Sequence, residues 1–82
     1  MTTALKTNEF INTIGEIRKI AKDKDTFLTA TYGLAKAHCR TLAELHDLSE
    51  NEVSWGADDE KRLIFKHYTN VDTLEYTVLE IV

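Results

Sequence analysis

The chain has 82 residues, of which 43% are hydrophobic and 29% charged, and its net charge is −4. A chain this short makes one domain and buries only about 60–65% of the surface it exposes when unfolded, which leaves little room for a deep, dry catalytic cavity. The balance is too apolar for disorder and too charged for a membrane span.

No run approaches the roughly 18 apolar residues of a transmembrane helix. The first ten residues, MTTALKTNEF, lack the apolar core of a signal peptide. One cysteine, Cys39, cannot form an internal disulfide, and secreted domains of this size usually carry several. The expectation is a soluble, cytoplasmic single domain over residues 1–82 with no membrane contact.

With no proline and three glycines, helical segments can be long. The first is predicted over about Asn8 to Lys22. Phe10, Ile14, Ile17 and Ala21 form one stripe of an amphipathic helix, widened by Ile11 and Ile20. Thr7 or Asn8 can cap its start. Lys19, Lys22 and Lys24 fall where cations suit the negative end of the helix dipole.

Asp25 is the expected N-cap of a second helix. Its stripe is Leu28, Tyr32, Ala35, Cys39 and Leu42, flanked by Phe27, Leu34 and Leu45. Gly33 sits in the middle, where it costs about 1 kcal/mol relative to Ala, and close approach of the first helix would explain it. Thr41-Leu42-Ala43-Glu44 has capping-box form, so a bend or restart near Arg40 is expected. That gives a short third helical element reaching about Leu48.

Ser49-Glu50-Asn51-Glu52 is a second capping box. It predicts a helical turn that ends at Gly56 as a left-handed cap. The last third changes period. Arg62 to Tyr68 and Leu74 to Ile81 are rich in β-branched and aromatic residues, and TNVDT between them is a loop of hairpin length. The fold class expected is therefore α+β. It comprises two main N-terminal helices, a short third helical element and a C-terminal antiparallel β-hairpin. Apolar residues fall on both faces of the hairpin, which leaves one face in want of a cover. Tyr76, Val78, Leu79 and Ile81 are the candidate homodimer interface.

Charge is unevenly spread. The segment Met1 to Lys24 is net basic, whereas Ser49 to Glu60 carries five carboxylates and no basic residue. The only tryptophan, Trp55, lies inside that acidic run. Tryptophan is a favoured interface anchor, and carboxylates around it would steer a basic partner. Glu50, Glu52, Trp55, Asp58, Asp59 and Glu60 are the candidate partner-binding residues. The alternative is that Trp55 belongs to the core and the carboxylates are merely solvated.

The remaining chemistry is thin. His38, His46 and His67 have no metal-ligand spacing, and there is no CxxC, HExxH or calcium-loop pattern. Cys39 lies on an apolar stripe, where cysteine usually acts as a small hydrophobe. No nucleophile elbow or phosphate loop is present. No metal, cofactor or catalytic residue is expected, and the chain is not expected to be an enzyme. Arg18, Lys19, Lys22 and Lys24 make a small basic cluster, but the isoelectric point near 5.2 argues against direct nucleic-acid binding.

The leading expectation is a small acidic protein-binding module that inhibits or regulates a larger basic partner, one that handles nucleic acid among the candidates. In size and charge it is like phage- or mobile-element-encoded inhibitors such as anti-CRISPR proteins. The alternatives are a homodimeric structural or regulatory subunit using the hairpin, and a small DNA-associated regulator.

Overall fold

A computed structural model describes residues 8–82. Thr7, a predicted cap, and Lys6, part of the basic N-terminal tally, lie outside the described residues. Among the described residues, two helices, α1 (Asn8–Ile20) and α2 (Lys24–Leu45), precede a 3-10 turn, Glu50–Glu52, and three strands. The strands are β1 (Val53–Ala57), β2 (Leu63–Asn70) and β3 (Glu75–Ile81), in antiparallel order β1-β2-β3. The arrangement is α+β, with the hairpin where the sequence predicts it.

The predicted stripe of α1 points inward. Ile14 and Ala21 are buried, with Phe10 and Ile17 packed beside them. Ile11 and Ile20 do not widen it and stay exposed. The helix stops at Ile20, and Asp23 caps α2 instead of Asp25: its carboxylate accepts from the Thr26 N–H at 2.8 Å.

The buried line of α2 keeps Ala35, Cys39 and Leu42 of the predicted stripe but takes Phe27 and Thr31 in place of Leu28 and Tyr32. It runs through Phe27, Thr31, Ala35, His38, Cys39, Leu42 and Ala43, while Tyr32 is 56% exposed. Thr31 and His38 are polar and so stand outside the apolar stripe of the sequence. Each brings its own partner: the Thr31 hydroxyl donates to the Phe27 carbonyl at 2.8 Å, and His38 meets Glu80.

The expected bend near Arg40 does not form, and the short third helical element is the 3-10 turn Glu50–Glu52 instead of a restart at Thr41. The Thr41 hydroxyl bonds back to the Ala37 carbonyl at 3.3 Å, so it serves the running helix and does not cap a new one. The helix continues to Leu45 and ends in a Schellman motif. Asp47 is left-handed (φ 59°), its N–H donates to Glu44, and the Leu48 N–H donates to Ala43. Gly33 is not a close-approach site either, since nothing lies within 4 Å of where its Cβ would stand.

Ser49 starts the predicted turn, its N–H donating to Glu52 Oε1 at 2.8 Å. The turn lasts only three residues, and Gly56 is not its left-handed cap. No glycine has positive φ, and Gly56 lies inside β1, a strand the sequence reading missed.

Register sets the faces of the sheet. Val53, Trp55 and Ala57 pair with His67, Phe65 and Leu63, and these residues face the helices. Ile64, Lys66 and Tyr68 face away, opposite Ile81, Val78 and Tyr76. Between Phe65 and Lys66 the register slips, because Leu79 is an extra residue in β3. A bulge of this kind places two successive residues on one side. Leu79 therefore packs on the core and Glu80 reaches His38.

Two cationic side chains lock the helices to the sheet. Lys61 Nζ donates to the carbonyls of Arg18 (3.0 Å) and Ala21 (2.7 Å), capping the end of α1. Arg18 reciprocates, donating to the carbonyls of Lys61 and Val82, each at 2.8 Å. The cation that serves the α1 dipole most directly thus comes from forty positions downstream.

Candidate functional site

The acidic run does not gather in one place. Strand β1 separates it into two groups, Glu50 with Glu52 and Asp58 with Asp59 and Glu60. Five residues of extended chain lie between Glu52 and Asp58, so six steps of about 3.3 Å set them roughly 20 Å apart.

Each carboxylate has local work. Arg40 pairs with Glu50 at 3.3 Å, Lys24 with Asp59 at 3.3 Å, and Arg62 with both Asp58 (2.8 Å) and Glu60 (3.1 Å). Asp58 organises the turn from β1 to β2, accepting from the N–H groups of Glu60 and Arg62. These bonds, the Arg62 backbone N–H foremost, hold its carboxyl below the ordinary aspartate range. The backbone N–H of Ser49 does the same for Glu52. The remaining carboxylates, Glu50, Asp59 and Glu60, are exposed and make only surface ion pairs.

Tertiary structure therefore folds part of the basic N-terminal segment against the acidic run. Lys24 reaches Asp59, and Arg18 is committed to backbone carbonyls. The cluster Arg18, Lys19, Lys22 and Lys24 is not a single basic face. Even so, five carboxylates in this run are opposed by three paired cations, Lys24, Arg40 and Arg62, and an excess of negative charge remains.

Trp55 is half-buried on the helix-facing side of β1. Its ring lies 5.9 Å from that of Tyr32, tilted by 60°. Lys36 and Cys39 of α2, Glu50, Asn51, Val53 and Trp55 line a cleft of about 500 Å³. Its lining comes from α2, the 3-10 turn and β1, so it lies between that helix and that strand. Burial pushes the Cys39 thiol up, which disfavours the nucleophilic thiolate.

The candidate dimer residues split. Tyr76, Val78 and Ile81 lie on the outer face of the sheet, 50%, 45% and 47% exposed, while Leu79 turns inward. Lys66 sits 4.7 Å from the Tyr76 ring centre and 5.6 Å from that of Tyr68, bridging the two aromatics.

Sequence reasoning missed the pairing of His38 with Glu80. The two are 42 positions apart, with side chains only 5% and 10% exposed and Nε2 to Oε1 at 2.5 Å. His38 stacks on Phe10 at 4.5 Å and meets the edge of Phe65 at 4.9 Å. The available signal was a histidine on an apolar helix face and a glutamate in an apolar strand. Among the described residues, no three His, Cys, Asp or Glu side chains converge as a metal site. None of the described helices is long and apolar enough to cross a membrane.

No family model, curated protein or solved structure matches the chain. The functional reading rests on this geometry.

Proposed function

We propose that this chain is a protein-binding module that occupies a basic surface of a larger partner, as a stoichiometric inhibitor or regulator. The supporting observation is the surface around β1. A half-exposed Trp55 lies between two groups of carboxylates that outnumber the cations paired with them. Excess charge of one sign steers a partner of the other sign and sets its register. An aromatic beside a cleft supplies the anchor. A nucleic-acid-handling protein, including one of a host defence system, has a surface of the required chemistry.

The test is capture from a bacterial lysate by the tagged protein beside a Glu50→Lys/Asp59→Lys/Glu60→Lys variant. Asp58 and Glu52 are left alone because each bonds backbone N–H groups of its own turn. A basic complex held by the wild type and lost by the folded variant is the expected result. Identical captures by both forms would remove the acidic surface from the account.

A second reading follows from the exposed Tyr76, Val78 and Ile81, which together would form one side of a homodimer. Sedimentation of the wild type at twice 9.4 kDa, reduced to monomer by Val78→Lys, would favour it.

A further inference from the structure

We infer that the outer edge of β1 is a strand-addition site for an extended basic segment of the partner. This inference rests on the functional reading above.

Hydrogen-bond alternation identifies the open groups. Leu63 exchanges both backbone bonds with Val82, so both its polar groups point toward the β3 side. Its β1 partner, Ala57, is then a non-hydrogen-bonded pair in the antiparallel ladder. By the same alternation Val53, Trp55 and Ala57 all turn their N–H and C=O away from β2. The Val53 N–H is taken by the Glu50 carbonyl. Among the described residues, no backbone bond reaches the outward groups of Trp55 and Ala57. They form a two-residue template on which an added strand can bond through alternate residues.

The charges say what can occupy that edge. A second copy laid antiparallel about Trp55 sets Glu52 opposite Asp58 and Glu50 opposite Glu60. A copy laid parallel in register sets each carboxylate beside its own twin. Like charges directly across a strand pair are destabilising, so the edge rejects itself. A foreign strand with Lys or Arg near both ends of a short β-branched centre meets the opposite charge at each end. Its helix-side residue enters the cleft beside Trp55, Lys36 and Cys39. The tryptophan sits in the most acidic segment because the edge strand supplies the anchor and its two ends supply the steering charge.

A random nine-residue peptide library, selected on the wild-type protein and counter-selected on Ala57→Pro, tests this. Proline at 57 removes an outward N–H that β2 does not use. The expected binders carry basic residues at both ends. N-methylation of alternate peptide amides should weaken binding about tenfold, one hydrogen bond's worth. Methylation of the intervening amides should leave it unchanged. Because the methyl groups are on the peptide, the result stands even where Ala57→Pro fails to fold. Binders without basic ends, binders indifferent to the methylation pattern, or no binders at all would overturn the inference. Loss of a lysate partner on charge reversal could still be seen in each case, so the broader proposal stands or falls separately.

Discussion

Replacing Lys61 by Met should destabilise the domain more than its surface position suggests. The ammonium donates to two carbonyls at the end of α1, at 3.0 and 2.7 Å, where the helix leaves acceptors unsatisfied. A hydrogen bond to a charged group contributes about 1.5–3 kcal/mol. Lys61 is half-buried, so water replaces part of that, and the two bonds together are set at about 2 kcal/mol. A domain of this length has about 4–12 kcal/mol in total. The loss corresponds to a fall in Tm of about 8–16 °C. Methionine keeps the apolar stem and the same Cβ strain at φ 59°, so the substitution isolates the ammonium. Urea unfolding followed by Trp55 fluorescence and by far-UV circular dichroism would measure it. Lys22→Met is the control, since Lys22 also follows α1 but is exposed. Equal effects of the two substitutions would refute the capping argument and reduce Lys61 to a general charge near a helix end.

Three further predictions use the same assay. Gly33→Ala should stabilise α2 by about 0.5–1 kcal/mol, because the position is mid-helix with open space around it; a loss of stability would mean the space is not free. Leu74→Asn should also stabilise, by up to about 1 kcal/mol, since Leu74 is exposed yet left-handed (φ 61°); an unchanged urea midpoint would show no strain there. Finally, the carboxyls of Asp23, Glu52 and Asp58 are held below their ordinary range, each first by a backbone N–H. Lowered values mean the stability they lend is present at neutral pH and is lost as pH falls through the carboxylate range. The gap in urea midpoint between wild type and Asp23→Asn/Asp58→Asn should therefore be wide near neutrality and close in acid; a gap independent of pH would contradict the sign.

The sequence by itself determined the α+β class, the span of α1, the start of the turn at Ser49 and the two strands of the hairpin. Each of these is written in local signals: a 3.6-residue apolar stripe, a capping box, a polar loop between β-branched runs. The turn at Glu50–Glu52 was legible for the same reason. The strand after it was not, because the alternation of Val53, Trp55 and Ala57 spans only five residues and Gly56 reads equally well as a helix cap. Val53–Ala57 becomes a strand because Leu63–His67 offers it a partner. The inner stripe of α2 was legible at Ala35, Cys39 and Leu42 but incomplete for a related cause. Thr31 and His38 are polar in sequence, and only a helix carbonyl and the distant Glu80 make them residents of the core. The bulge at Leu79 shows the limit most clearly. Alternation along β3 placed Leu79 with Ile81, and one extra residue reversed that, since side-chain direction in a strand depends on pairing register. The candidate site divides along the same line. Its carboxylates and tryptophan could be read from composition. Their separation to the two ends of an open edge, their partial pairing with Lys24, Arg40 and Arg62, and the outward amides of Trp55 and Ala57 were decided by tertiary structure, because each depends on contacts between segments far apart in the chain.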